Sequence, residues 1–219
     1  MSRFRDLLLC VPALVLALPM LVVIGTLVRL DSPGPALYCQ QRVGRHGRLF
    51  TLYKLRTMRV TTSGSLVTAA SDDRITRLGR RLRASKLDEL PQLWNVIRGD
   101  MSLVGPRPEV PRYVSLWPDD LREEILSIRP GITDPVTAAL RNEELLLGEA
   151  ADPERFYIET LLPAKAKAYA EYVRRRSQLG DLRIMAQTFA AIVRPRSAEH
   201  SSDLALGNER PREQPKSGD

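Results

Sequence analysis

Histidine and cysteine are scarce in this chain, two of each, and they are scattered. His46 and His200 stand alone, Cys10 lies in an apolar run, and Cys39 lies beyond it. They supply neither zinc-type ligand spacing nor a disulfide framework, which fits a reducing compartment for the folded part. Aromatic residues make up only 5% of the 219 residues. Base stacking, the usual grip on single-stranded nucleic acid, therefore has little to work with. Acidic residues are outnumbered, 26 against 33 Lys and Arg, giving a formal net charge of +7. That balance points to anionic partners: phosphorylated small molecules, lipid headgroups or nucleic acid. No internal repeat is present.

Charge is missing altogether from Leu7 to Val28, 22 residues. As a straight helix this run is ~33 Å long, enough to cross a hydrocarbon core of ~30 Å. It is longer than the apolar part of a secretory leader, and no small-residue cleavage site follows it. Pro12 and Pro19 each remove a backbone donor and clash with the preceding turn. Pro19 divides the run into pieces too short to span a bilayer alone. Arg3 and Arg5 precede the run and Arg29 follows it, so flanking charge gives no orientation bias. Two geometries satisfy these facts: a kinked transmembrane helix, or a helix that dips in and returns at Pro19. Attachment to membrane lipid follows from either.

Asp31 to Pro35 is dense in chain breakers and predicts a turn leaving the apolar segment. Ala36–Gln41 and Leu49–Tyr53 are short enough to be strands, with Gly44 and Gly47 in the turn between them, so a small hairpin is expected. From Gln40 to Lys86 there are twelve Lys or Arg against only Asp72 and Asp73. Any single one of these cations could merely solvate a surface or meet anionic headgroups. The alternative use is phosphate binding, for which the Arg fork is well shaped. From Arg74 to Arg83 the cations recur every three residues, so a helix would gather several on one face.

Asp88 and Glu89 stand in the middle of this basic field, with Arg81, Arg83 and Lys86 before them and Arg98 and Arg107 after. Neighbouring carboxylates on a helix point about 100° apart, so they suit two adjacent ligands rather than one. One could attack phosphorus while the other holds Mg2+ against phosphate oxygens. Pro91 fits the first turn of a helix carrying Leu93, Trp94 and Ile97. That would place the pair where the helix dipole favours anions. The plainer alternative is that Asp88 is an N-cap and Glu89 a first-turn acid.

The string SKLDELPQLWNVIRGDMSLVGPRPE (85–109), with RVGRHGRLFTLYKLRTM (42–58) upstream and RPGIT (129–133) downstream, resembles the bacterial sugar transferase family. More narrowly it resembles the small, monotopic polyprenyl-phosphate phosphoglycosyl transferases, over roughly residues 3–194. The resemblance implies an enzyme that transfers a phosphosugar from a UDP-sugar to undecaprenyl phosphate, releasing UMP and initiating glycoconjugate or exopolysaccharide synthesis. It implies Asp88 as the nucleophile of a covalent phosphosugar intermediate and Glu89 as a ligand for Mg2+. It puts Lys54, Arg56, Arg83, Arg107, Arg129 and Arg141 near phosphate or headgroup. It also implies a re-entrant helix broken at Pro19, with the catalytic domain on the cytoplasmic face of the bacterial inner membrane. Relatives carry Ser-Pro at that break; here Leu18 replaces the serine. After Thr133 the chain also departs from the common pattern, from Asp134 to Leu140, so no particular sugar carries over.

The last third predicts a helix over Leu121–Ile128, another starting at Asp152-Pro153-Glu154, and a third over Thr160–Arg176 with Leu161, Leu162, Tyr169 and Tyr172 on its apolar face. Leu182, Met185, Phe189, Ile192 and Val193 recur at helical spacing. Core packing is the commoner reason for such faces, membrane contact the other. The expected organisation is α+β and mainly helical: a membrane-inserted helix over 1–30, a compact catalytic domain with a small hairpin and interfacial helices over 31–194, and a disordered polar tail over 195–219. The expected partners are a UDP-sugar, polyprenyl phosphate and membrane lipid, with no nucleic acid; homo-oligomerisation is left open. The non-enzymatic rival is a membrane-tethered basic module gathering anionic lipid or an acidic partner.

Overall fold

The computed structural model describes residues 3–60, 67–68, 72–134, 136 and 143–193. Helix dominates, as the sequence leads one to expect. Helix α1 runs Arg3–Asp31 with Pro12 and Pro19 inside it, so the expected break at Pro19 is not seen as an interruption. It is long and apolar enough to cross a membrane. Its buried residues, Asp6, Cys10, Ala17, Ile24 and Val28, are spaced four, seven, seven and four apart, which lines them up on one face. Around the rest of the helix Leu8, Val15, Leu16, Val22, Val23 and Leu30 are exposed.

Both ends of α1 are tied to the same domain. At the start, the Arg3 guanidinium donates to the carbonyls of Val96 and Ile97, and Cys10 packs with Phe50, Leu52, Val96 and Met101. At the end, Ile24 and Val28 pack with Leu55 and Leu82.

The expected hairpin is present. Strands β1 (Leu37–Val43) and β2 (Leu49–Leu55) pair antiparallel, Leu37 opposite Leu55 and Val43 opposite Leu49. The turn between them is a 3-10 turn, Arg45–Gly47, in which His46 (φ 57°) and Gly47 (φ 75°) take left-handed backbone. Helix α2 (Arg77–Ser85) follows, capped by the Thr76 hydroxyl, which accepts from the Gly79 amide at 2.9 Å. Its Arg77, Arg80 and Arg81 are exposed on a common face, while Leu82 and Gly79 are buried. A Cβ on Gly79 would come within 2.0 Å of the Thr57 carbonyl oxygen. Only glycine lets α2 lie this close to the end of β2.

After a 3-10 turn (Leu87–Glu89), helix α3 spans Gln92–Arg98 and ends at Gly99 in the left-handed region. Strand β3 (Ser102–Val104) pairs parallel with β4 (Gly131–Thr133), a second two-stranded sheet that the sequence patterning does not reveal. A Cβ on Gly131 would stand 2.1 Å from the Gly105 amide nitrogen, so this pairing depends on glycine.

Between these strands lie α4 (Pro111–Val114) and α5 (Asp119–Leu126). The C-terminal part holds α6 (Glu143–Glu149), α7 (Pro153–Phe156), α8 (Leu162–Arg175) and α9 (Gln178–Val193). Asp152 caps α7, accepting from the Arg155 amide at 3.0 Å. Tyr113, Trp117, Ile125, Tyr157, Leu161, Leu162, Ala166 and Tyr169 form the main core, so the apolar face of α8 serves core packing. Most of the expected loop over Thr61–Asp73, and the expected tail over 195–219, lie outside the described residues.

Candidate active site

The acidic pair sits on the 3-10 turn between α2 and α3. Lys86, the residue that ends α2, is left-handed (φ 58°) and its amide donates to the carbonyls of Leu82 and Arg83. That conformation costs a non-glycine residue about 1 kcal/mol. It turns the chain sharply enough to bury Asp88 and Glu89 (6% and 9% exposed). Asp88 does not cap α3: Pro91 holds that position and no side chain caps it. The capping alternative for Asp88 therefore does not hold for α3.

The two acids have opposite surroundings. Glu89 Oε1 accepts from Arg107 Nη2 at 3.1 Å and from Lys54 Nζ at 3.4 Å. Burial by itself would raise its pKa, but Arg107 and Lys54 outweigh burial and hold the carboxyl well below the usual range. Reciprocally, Glu89 raises the pKa of Arg107. Lys54 moves the other way, to about 8, because burial outweighs the help it receives from Glu89. Asp88 has a buried Oδ1 with no hydrogen-bond partner among the described residues. Its pKa is raised by burial, with Lys54 opposing and Glu89 adding to the rise.

Lys54 is presented by β2, Arg107 by the loop after β3, and the acids by the α2–α3 connection. One residue registers β2 against α3. Asn95, fully buried in α3, donates from Nδ2 to the Thr51 carbonyl at 2.7 Å and accepts at Oδ1 from the Tyr53 amide at 3.2 Å. Its side-chain amide thus behaves as one residue of a third strand on the free edge of β2. A polar residue inside an apolar helical stretch was the only hint of it in the sequence.

The other expected phosphate ligands fall in different places. Arg83 is half-buried in α2, and its charge acts on Asp88. Arg56 is buried and spends its guanidinium on the exit from α1. It donates to the carbonyls of Pro35 (2.7 Å), Pro33 (2.8 Å) and Ser32 (2.7 Å) and to Ser32 Oγ (2.7 Å). That is the position of a clamp, and none of these bonds reaches the acidic pair. Arg129 donates from Nε to the Gly99 carbonyl at 2.8 Å. Arg141 lies outside the described residues.

The carboxylates fit a magnesium ion in one respect. Mg2+ is commonly held by one or two protein carboxylates, with waters and substrate phosphates completing the shell. Glu89 is one such carboxylate, and its Oε1 already accepts from Arg107 and Lys54. Among the described residues no cluster of three metal-ligating side chains occurs.

Sequence comparison supplies the family. The profile of the bacterial sugar transferases matches residues 1–195. The chain is 38% identical over 179 residues to a protein from Caulobacter vibrioides named UDP-glucose:undecaprenyl-phosphate glucose-1-phosphate transferase, covering 80% of this chain and 63% of that one. It is 43% identical over 122 residues to a Bacillus subtilis protein provisionally named an undecaprenyl-phosphate N-acetylgalactosaminyl 1-phosphate transferase, covering 55% and 68%. It is 38% identical over 160 residues to the undecaprenyl-phosphate galactose phosphotransferase of Salmonella typhimurium, covering 65% and 33%. The chain thus spans between a third and about two thirds of the length of these relatives. A family profile that covers nearly all the described residues, around two buried acids set among cations, leaves one conclusion: this chain belongs to the bacterial sugar transferase family.

Proposed function

We propose that the protein is a phosphoglycosyl transferase that moves a sugar 1-phosphate from a UDP-sugar to undecaprenyl phosphate. The observation that carries this reading is the asymmetry of the acidic pair: Glu89 neutralised by two cations, Asp88 buried with an Oδ1 that has no partner among the described residues. A desolvated, unpartnered carboxylate is suited to attack phosphorus. In the first step an Asp88 oxygen bonds to the β-phosphorus of the donor. The bond from that phosphorus to the bridging oxygen breaks, and UMP leaves. In the second step a phosphate oxygen of the lipid attacks the same phosphorus and the Asp88 oxygen departs, giving the lipid-linked diphosphate sugar. Both steps exchange like for like, so positioning and charge neutralisation supply most of the catalysis.

Lys54 and Arg107 face the phosphates in this reading, and Glu89 keeps both cations in place. Mg2+, held by Glu89 together with substrate oxygens, would add charge neutralisation at the diphosphate. Arg83, whose charge lowers the Asp88 pKa, would join them.

The lipid acceptor explains α1. A helix crossing a bilayer would carry its two ends to opposite faces, ~43 Å apart for 29 residues. Here Arg3 and Arg56 fasten both ends to one domain. That supports a helix that dips into one leaflet, bending at Pro19, and returns to the cytoplasmic face of the inner membrane. The reaction would then occur at headgroup depth, where the acceptor's phosphate lies, and begin the assembly of a cell-surface glycan.

The test is UMP release by the purified full chain from UDP-glucose, UDP-galactose and UDP-N-acetylgalactosamine, with and without undecaprenyl phosphate. Lipid-dependent turnover of at least one donor is expected, with loss on adding EDTA and recovery on adding Mg2+. No UMP from any donor, with anionic vesicles still bound, would favour the non-catalytic module instead.

A further inference from the structure

Behind the loop that carries Arg107 lies a second set of buried ionisable groups, none of which is hydrogen-bonded to Asp88 or Glu89 among the described residues. Its centre is Glu109, 5% exposed. Glu109 Oε1 accepts from Tyr157 Oη at 2.6 Å and from Lys165 Nζ at 3.3 Å, and Oε2 accepts from Arg42 Nη1 at 3.4 Å. Lys165, 3% exposed, also donates to Glu143 at 3.3 Å and to Tyr157 Oη at 3.2 Å, and lies 5.1 Å over the Tyr157 ring. One helical turn further along α8, Tyr169 Oη donates to Asp134 Oδ2 at 2.9 Å.

Such a network is a poor way to gain stability. Desolvating ions is costly, and well-packed apolar residues of the same volume usually serve as well. What it supplies is a fixed geometry, and the loop shows which one. Arg42 Nη1 donates to the Pro108 carbonyl at 3.0 Å, and the Val43 amide donates to the Glu109 carbonyl at 3.0 Å. Between this anchored residue and Arg107 there is only Pro108, and Pro106 precedes Arg107. Both prolines have locked φ angles, and Arg107 is itself restricted by the proline after it. Few soft backbone torsions remain, so the seat of Glu109 sets where the Arg107 side chain leaves the loop. On its other side Arg107 meets Glu89 at 3.1 Å.

We propose that Lys165 is a positioning residue for the transfer reaction: by gripping Glu109 it holds the Pro106-Arg107-Pro108 loop so that the Arg107 guanidinium stays aimed at Glu89 and at the diphosphate of the donor. This rests on the transferase reading above and assigns a role in it to a helix with no hydrogen bond to Asp88 or Glu89 among the described residues. Tyr157 completes the grip from the turn before α8, and Glu143 shares the ammonium from α6. The remote helix thereby becomes part of how the site reads a diphosphate.

The test uses the full chain and compares wild type, Lys165→Met, Lys165→Arg and the double variant Lys165→Met with Glu109→Gln. Steady-state UMP release is measured with the donor that the wild type turns over, alongside the thermal midpoint of each protein. Lys165→Met is expected to lower kcat/KM for the UDP-sugar at least tenfold while leaving KM for undecaprenyl phosphate unchanged, and Lys165→Arg to recover most of it. The double variant removes both buried charges, so its midpoint is expected to return toward wild type while kcat/KM stays low. Activity that returns together with the midpoint in the double variant, or wild-type kcat/KM in Lys165→Met, would overturn the proposal and leave the network a matter of folding. A wild type that releases no UMP from any donor would instead remove the transferase reading beneath it.

Discussion

Asp88 and Glu89 are adjacent in the chain and opposite in circumstance: Glu89 Oε1 lies within 3.4 Å of two cationic side chains, and Asp88 Oδ1 is buried with no partner among the described residues. The turn that carries them explains the difference. It points Glu89 toward β2 and the loop after β3, where Lys54 and Arg107 lie, and leaves Asp88 Oδ1 without a partner among the described residues.

The first expectation concerns that division of labour. Glu89→Gln removes the charge that holds Lys54 and Arg107 together without removing the hydrogen-bonding shape. Two half-buried cations would then face each other without Glu89 between them. Turnover should fall about 100-fold or more, the size typical of losing one preorganised electrostatic contact. Steady-state UMP release measures it. Turnover within twofold of wild type would show that Glu89 is not needed to organise the cations.

Asn95 gives a second expectation. Asn95→Ala leaves the Thr51 carbonyl and the Tyr53 amide without the partner they have at 2.7 and 3.2 Å. Unsatisfied buried backbone groups cost about 1–3 kcal/mol each. A lower denaturant midpoint is expected, together with a drop in activity larger than the unfolded fraction explains, because Lys54 rides on the strand that Asn95 registers. A midpoint unchanged from wild type would contradict the accounting.

Legibility in the sequence divides along the same physical lines. The β1–β2 hairpin is visible because its strands alternate with glycine-bearing turns, a local signal. Helix α7 is visible because Asp152 caps it, and α3 because of Pro91. The β3–β4 sheet is hidden, since three-residue strands far apart in sequence pair through glycines whose need for close approach appears only in three dimensions. Within the site, Asp88, Glu89, Lys54 and Arg107 stand out by motif. Arg56 has the same residue type and the same neighbourhood in sequence, yet its side chain turns back to the carbonyls after α1. No pattern of charges along the chain distinguishes a clamp from a phosphate ligand. Lys165 and Glu109 are invisible for a related reason: each looks like an ordinary surface charge until its burial is known.

A third expectation follows from Glu109. Burial alone would raise its pKa, but Lys165, Arg42 and the Tyr157 hydroxyl outweigh burial and set it below the ordinary glutamate value of 4.5. A carboxyl depressed in the folded state contributes stability that is fully present above its unfolded pKa and is lost as pH falls through the folded one. The thermal midpoint of the wild type should therefore exceed that of Glu109→Gln by most between pH 6 and 7. The gap should shrink as the pH falls below about 4.5. A gap that is constant from pH 7 to pH 3.5 would mean that the charge of Glu109 contributes nothing to the fold.

The central claim is that Asp88 forms the bond to the phosphosugar, and it can be examined on the protein itself. The full chain is incubated with UDP-sugar labelled with 32P at the β-phosphate, without lipid acceptor, then quenched in acid, digested and mapped by mass spectrometry. One labelled peptide is expected, containing Asp88, chased off by undecaprenyl phosphate and missing in Asp88→Asn, which should also transfer no sugar phosphate. Transfer to lipid by Asp88→Asn at a rate near wild type would contradict it.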